Sequence, residues 1–128
     1  MTFPVTTLYA LPLALIFLVL WFGVTKTRAT MGVSIGDAGN TDLHERIRRH
    51  GNFVEWVPLV LILMLLAEAA GSNSIALHSA GGLLVVGRVI HPFGLRAVNP
   101  THLLRILGNS SNLLATGILI VLLAMTKF

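Results

Sequence analysis

Residues 1–25 read MTFPVTTLYALPLALIFLVLWFGVT and contain no charged side chain. A second uncharged run, residues 106–126, reads ILGNSSNLLATGILIVLLAMT. Each run reaches the roughly 20 residues that a helix needs to cross the hydrocarbon core of a bilayer. Two membrane-spanning helices are therefore predicted directly.

Two further apolar runs, residues 53–70 and 71–87, are interrupted only by Glu55, Glu68 and His78. They predict two more spans, so that four helices account for most of the 128 residues. We predict an all-α fold, a single-domain integral membrane four-helix bundle, with helices at approximately 4–27, 41–70, 74–95 and 101–126.

The composition excludes several classes of protein. Charged residues make up 11% of the chain, far below the roughly 25% of soluble domains. The formal net charge is +4, but the basic residues gather at predicted helix ends, which argues against nucleic-acid binding. The chain has no cysteine, and its histidines lack ligand-like spacing, so we predict no disulfide and no metal site.

The basic residues also predict a topology. They cluster in the 1–2 and 3–4 connections, whereas the 2–3 turn at residues 71–74 is uncharged. Because short basic loops stay in the cytoplasm, we expect both termini on the non-cytoplasmic side of a bacterial-type inner membrane. The first apolar run has no basic residue ahead of it and no small-residue cleavage pattern, so we interpret it as a retained helix and not as a signal peptide.

The connections carry recognisable helix-start signals. Residues 31–41 contain three glycines and predict a loop. Thr41 or Asp42 is the expected N-cap of the second helix, with Glu45 completing a capping box. Pro100 or Thr101 is expected to begin the last helix.

One face of the second predicted helix is polar where it enters the membrane. His44, Arg48, Asn52 and Glu55 fall within an arc of about 80° at 100° per residue. A carboxylate at the centre of a membrane helix costs about 2.5–3.5 kcal/mol unless it finds a partner. In a structural interpretation, Glu55 pairs with Arg88. In a functional interpretation, this face forms one wall of a binding site for a polar anionic ligand.

Arginines from three predicted helices add to this constellation. Arg88 and His91 lie one turn apart on the third helix, and Arg105 lies near the start of the fourth. Converging guanidinium groups suit a carboxylate, which each can bind through two hydrogen bonds. We expect Lys26, Arg96 and Lys127 instead to extend towards lipid headgroups.

Two motifs carry a resemblance to a known family. Residues 48–58, RRHGNFVEWVP, follow the pattern R-x-H-x-N-x-x-E-x-x-P, and residues 87–91 read GRVIH. Both resemble signatures of the MAPEG family, the membrane-associated proteins of eicosanoid and glutathione metabolism, and length and loop placement agree over nearly the whole chain. The resemblance implies a homotrimer that holds glutathione between subunits near the cytoplasmic face.

The same resemblance implies roles for individual residues. Five residues would bind glutathione, and Arg105, near the family's catalytic arginine, would stabilise the glutathione thiolate. The implied activity is a transferase or peroxidase that attacks a lipophilic electrophile arriving from the bilayer. Several family members have tyrosines where residues 92–95 read PFGL here. The five predicted binding residues are Arg48, Asn52, Glu55, Arg88 and His91.

Two alternatives remain open at this point. The chain is a glutathione-binding membrane protein without catalytic activity, or it is a small multidrug-type transporter that uses Glu55 to couple export to protons. Arg48 and Arg88 would repel a cationic cargo, which argues against the transporter.

Overall fold

A computed structural model describes residues 2–126 of the chain. It contains four α-helices, each long and apolar enough to cross a membrane. The predicted all-α membrane four-helix fold is therefore confirmed, whereas Lys127 lies outside the described residues. The helices are α1 (Pro4–Met31), α2 (Thr41–Ala69), α3 (Ser74–Gly94) and α4 (Leu103–Ala124).

Helices α3 and α4 pack closely because glycines face each other at the contact. A Cβ atom added to Gly87 would lie 2.9 Å from the carbonyl oxygen of Gly108, and one added to Gly108 would lie 2.7 Å from the Cβ of His91. Ser111 Oγ donates a 2.6 Å hydrogen bond to the carbonyl oxygen of Leu83 in the same interface. Small residues at such positions let membrane helices approach each other.

Helix α1 is attached more loosely. It packs against α2 and α3, and within the described residues its backbone does not come close to that of α4. Most of its large apolar side chains remain exposed in the protomer, as expected for a helix that faces lipid or a neighbouring subunit. The buried core is supplied mainly by α2, α3 and α4, and includes Val57, Val60, Met64, Leu77, Leu84, Ala115 and Leu119.

Several predicted helix ends are wrong. The N-cap of α2 is Asn40, whose side chain accepts a 2.9 Å hydrogen bond from the Leu43 N–H; Asp42 instead pairs with Arg46. Helix α4 begins at Leu103, because the chain at Pro100 and Thr101 is still a turn. Helix α1 runs four residues beyond the predicted position 27 and ends at Gly32 in the left-handed conformation (φ 65°).

The end of the bundle opposite the 1–2 and 3–4 loops is closed by Glu68. Its two carboxylate oxygens accept hydrogen bonds from the backbone N–H groups of Val5 (2.8 Å) and Thr6 (2.7 Å) at the start of α1. Tyr9 Oη and His78 Nδ1 lie 3.0 Å apart on the same side. Glu68 therefore satisfies backbone donors that a helix start leaves without an intrahelical partner.

Candidate functional site

A cavity of about 300 Å³, lined mainly by polar residues, opens between α2, the end of α3, α4 and the loop that joins α3 to α4. We call it the basic cavity. Its size is at the lower end of the range for small-molecule sites. The residues that line it are His44, Glu45, Arg48, Asn52, His91, Leu95, Arg96, Ala97, Pro100, Arg105 and Asn109.

Four of the six predicted site residues meet in this cavity: Arg48, Asn52, His91 and Arg105. Arg88 does not line it but contacts it from behind, since its Nη1 donates a 2.8 Å hydrogen bond to Asn52 Oδ1. Glu55 also lies outside the lining and pairs with Arg48, Nη1 to Oε1, at 3.3 Å. The expected structural pairing of Glu55 with Arg88 is therefore wrong.

Helical spacing explains how the side chains converge. His44, Arg48 and Asn52 are four residues apart, so they project from one face of α2. Arg105 and Asn109 repeat that spacing on α4. The two faces meet because α3 and α4 are held together beside them, which brings polar groups from three helices to one depth.

A clamp from α2 fixes the loop over the cavity. Arg49 donates from Nε and Nη2 to the carbonyl oxygen of Leu95 at 3.1 and 3.0 Å. Its Nη2 also lies 2.7 Å from Glu45, whose other carboxylate oxygen accepts from the Ala97 N–H at 2.8 Å. The Glu45–Arg49 spacing indicates a helix pair, but its loop partners are visible only in the structure. The clamp holds Arg96 at the cavity.

Arg96 and Asn109 were missed by sequence reasoning. Arg96 was expected to extend to lipid headgroups, but it lines the cavity instead, with its Nε bonded to the carbonyl oxygen of Phe93 at 3.2 Å. Asn109 lies one turn beyond Arg105 and gave no motif signal. The spacing of four residues from Arg105 was the available clue.

Several buried polar atoms around the cavity have no hydrogen-bond partner within residues 2–126. They include His91 Nε2, Asn109 Oδ1 and two nitrogens of Arg88, Nε and Nη2. Arg88 and His91 are 1% and 2% exposed. Buried polar groups are nearly always hydrogen-bonded, so these atoms favour water or a polar ligand at this depth.

The side chains that line the cavity include more basic than acidic groups. Arg48, Arg96 and Arg105 contribute three guanidinium groups, whereas the carboxylate of Glu45 is already taken by Arg49 and the Ala97 N–H. Arg105 Nη1 donates to the carbonyl oxygen of Pro100 at 3.3 Å. Such a donor set suits carboxylates or other anions.

The loop between α1 and α2 adds a titratable pair at the rim. Asp37 accepts a 2.9 Å hydrogen bond from the Gly39 N–H and pairs with His44. The Gly39 N–H, and then His44, hold the pKa of Asp37 below its ordinary value. Within residues 2–126, no three His, Asp or Glu side chains lie close enough to hold a metal ion.

The fold and the cavity together define a class: a small polytopic membrane protein with a basic pocket at one end of its helix bundle. The comparisons make this more specific. The MAPEG family model matches residues 6–125, and the chain therefore belongs to the MAPEG family.

Curated relatives include the inner membrane protein YecN of Escherichia coli, strains K12 and O6:H1. Each is 38% identical to this chain over 90 residues, which cover 70% of the chain and 69% of the relative. No solved structure gives a significant match.

Proposed function

We propose that this protein is a glutathione-dependent membrane transferase or peroxidase that acts on lipophilic electrophiles and works as a homotrimer. The observation that carries the proposal is the basic cavity, with three guanidinium groups beside the amides of Asn52 and Asn109. Glutathione has two carboxylates, amide groups, an ammonium group and a thiol. Arginines and amides are the donors that such a peptide requires.

Each predicted residue has a distinct task in this proposal. Arg48 binds a glutathione carboxylate, and Asn52 and His91 bind its amide groups. Arg88 orients the Asn52 side chain through their 2.8 Å hydrogen bond. Glu55, which lies 3.3 Å from Arg48, receives the ammonium group.

The exposure of the Arg48–Glu55 pair supports a subunit interface. Their side chains are 49% and 54% exposed in the protomer, close to the start of the apolar part of α2. Charged side chains facing lipid at that depth are costly. A neighbouring protomer would cover the pair and complete the glutathione site, and the number three comes from the family resemblance.

The proposed chemistry begins with the thiol. Positive charge from Arg105 lowers the pKa of a bound thiol from about 8.5 and increases the thiolate fraction. The thiolate sulfur then forms a bond to an electrophilic carbon, while the leaving group departs with its electron pair. With a lipid hydroperoxide, two glutathiones are oxidised to the disulfide, and the hydroperoxide is reduced to an alcohol and water.

Leu95 lines the cavity near the position where other family members carry tyrosine. A hydroxyl donor for the thiolate is thus missing from this part of the wall, and Arg105 must act without it. Loss of catalysis with retained glutathione binding is the outcome that would favour the non-catalytic alternative. The position of Arg48, 3.3 Å from Glu55, disfavours the transporter, because its guanidinium would repel a cationic cargo.

The binding test uses the full chain in detergent and isothermal titration with glutathione. Arg48→Ala should weaken binding about tenfold or more, as expected for loss of a hydrogen bond to a charged group. Asn52→Ala should weaken it about fivefold, as expected for loss of a hydrogen bond between neutral groups. Arg46→Ala is the matched control, since Arg46 lies on the same helix but outside the basic cavity. Equal affinities in all three variants would contradict the proposed site.

The catalytic test follows the ultraviolet absorbance of the bound thiolate against pH. Arg105→Ala should raise the pH at which bound glutathione ionises and should lower turnover of an aromatic electrophile, while affinity changes little. Arg105→Lys should fall between. Identical titration curves for wild type and Arg105→Ala would remove Arg105 from the mechanism and make Arg96 the next arginine to test.

We further propose an inner membrane location with both termini on the non-cytoplasmic side. The name of the YecN relatives supports the membrane, and the basic 1–2 and 3–4 loops support the orientation. Fusions of a reporter to the carboxyl terminus test this. A reporter that is active only in the cytoplasm should give no signal, and a strong signal would reverse the orientation.

A further inference from the structure

A second groove lies on the side of the bundle away from the basic cavity. It follows α1 through three adjoining cavities of about 280, 290 and 240 Å³, which share lining residues. We call it the helix-1 groove. The residues that line the groove come from α1 on one side and from α2 and α3 on the other.

The deeper half of the helix-1 groove is apolar. Its walls expose no polar surface, because even Arg88 presents only hydrocarbon there. The lining residues are Leu15, Ile16, Val19, Leu20, Arg88, Val89, Pro92 and Phe93. A cleft of this composition inside a membrane accepts an acyl chain.

The other half, towards the 1–2 loop, is basic. Arg46 and Arg49 line its middle, and Lys26 and Arg46 line its end. The Arg46 guanidinium reaches across to α1, where a Cβ atom added at Gly23 would lie 3.4 Å from Arg46 Nη1.

Lys26 takes part in none of the four ion pairs within residues 2–126. Arg46 donates a hydrogen bond to Asp42 through its Nε alone. The basic half therefore retains donors and positive charge for an anion.

The two halves together have the chemistry of a lipid with a negatively charged headgroup. From Leu15 to Met31 the groove follows 16 residue steps of α1, or about 24 Å, with apolar walls followed by cations at the membrane surface. We propose that the helix-1 groove binds an anionic phospholipid, with its phosphate held by Lys26 and Arg46 and one acyl chain lying along Leu15 to Leu20. No residue in the described part of the chain lines both this groove and the basic cavity, although Arg88 and Arg49 contact both.

The test measures lipid binding to the full-length, delipidated protein by native mass spectrometry. Phosphatidylglycerol and phosphatidylcholine with the same acyl chains are titrated separately. Phosphatidylglycerol should bind more tightly, and Lys26→Ala and Arg46→Ala should each weaken its binding about fivefold, corresponding to about 1 kcal/mol per cation. Phosphatidylcholine has the same phosphate but a choline that cancels its charge, so its binding should fall by a smaller factor in these two variants.

The apolar half has a matched pair of variants on α1. Leu15 and Leu18 are 65% and 53% exposed, but only Leu15 lines the groove. Leu15→Trp should reduce retention of both lipids, whereas Leu18→Trp should leave it unchanged. Arg48→Ala, in the basic cavity, should also leave lipid binding unchanged, so failure of either proposed site can be distinguished from failure of the other.

Three results would overturn the proposal. Equal affinities for the two phospholipids, unaffected by Lys26→Ala and Arg46→Ala, would show that no headgroup is recognised. Competition by glycerol phosphate alone at the lipid's own affinity would indicate a free-anion site. A change in protomer number with Leu15→Trp, at unchanged lipid retention, would assign this face to contact between copies of the chain.

Discussion

Helix α2 carries a carboxylate near each end of its apolar run, and the two have opposite surroundings. Glu68 accepts two short hydrogen bonds from backbone N–H groups at the start of α1. Glu55 has one 3.3 Å contact with Arg48 and is 54% exposed. In the sequence both are single acidic residues within an apolar run, so only their partners separate a structural carboxylate from one that is available to a ligand.

The two ends of the bundle also differ. At the Glu68 end, polar groups close the connection between α1 and α2. At the end with the basic cavity, buried nitrogens of Arg88 and His91 lack partners within the described residues. Within residues 2–126, the Glu68 end also has buried atoms without partners, the hydroxyl oxygens of Thr6 and Ser72. The two ends therefore differ in the kind of buried group that lacks a partner: hydroxyls at one end, guanidinium and imidazole nitrogens at the other.

Gly94→Ala, beside the basic cavity, is expected to have the largest effect on stability and on glutathione binding. The added Cβ would lie 2.2 Å from the backbone nitrogen of Arg105 and 2.8 Å from the carbonyl carbon of Leu104. Backbone atoms cannot yield like a flexible side chain, so α3 and the start of α4 must separate. We expect a loss of about 3 kcal/mol in unfolding free energy in detergent, together with loss of glutathione binding.

The control for Gly94→Ala is Gly82→Ala on the same helix, where an added Cβ meets no atom within 4 Å. This variant should be as stable as wild type, or more stable by up to about 1 kcal/mol. If both variants behave alike, the close approach of α3 and α4 does not form the cavity.

The next largest effect should come from Glu68→Ala. Removal of this carboxylate leaves the N–H groups of Val5 and Thr6 without their acceptor, which should cost about 1–2 kcal/mol, as for loss of a helix cap. Thermal unfolding in detergent measures it. Glutathione affinity should be unchanged, because the lost contacts lie at the opposite end from the basic cavity; a parallel loss of affinity would show that the two ends are coupled.

Glu55→Gln is expected to show the reverse pattern. The ion pair with Arg48 is exposed in the protomer and should contribute less than about 1 kcal/mol to the stability of the protomer, so protomer unfolding should hardly change. Glutathione affinity should fall about tenfold if the charge receives the ligand's ammonium group. Glu68→Gln is the isosteric control. Equal effects of Glu55→Gln and Glu68→Gln on glutathione affinity would contradict the assignment of Glu55 to the ligand.

The smallest effect concerns Asp37 at the rim of the cavity. Because the Gly39 N–H and His44 lower its pKa in the folded protein, the ionised carboxylate adds stability that is fully present above the ordinary value of 3.8. This contribution disappears as the pH falls through the lowered pKa. The drop in unfolding temperature between pH 6 and pH 3 should therefore be slightly smaller in Asp37→Asn than in the wild-type protein. An identical difference in both proteins would contradict the assignment.

The predicted topology and the trimer stay predictions, but the fold followed from the sequence for a simple reason. A membrane span depends on apolar character summed along one continuous segment and needs no knowledge of its neighbours. The polar face of α2 was equally local, since residues 44, 48 and 52 share a side by helical spacing alone.

The tertiary structure decided how these local features combine. Glu55 pairs with Arg48, Arg88 bonds to Asn52, Arg96 turns to the basic cavity and Asn109 joins it. These outcomes depend on the separation and rotation of different helices, set by contacts such as those of Gly87 and Gly108, which bring α3 and α4 together. Charge and spacing within one segment cannot encode distances between segments, so the sequence determined which groups enter the membrane, and packing determined which of them meet.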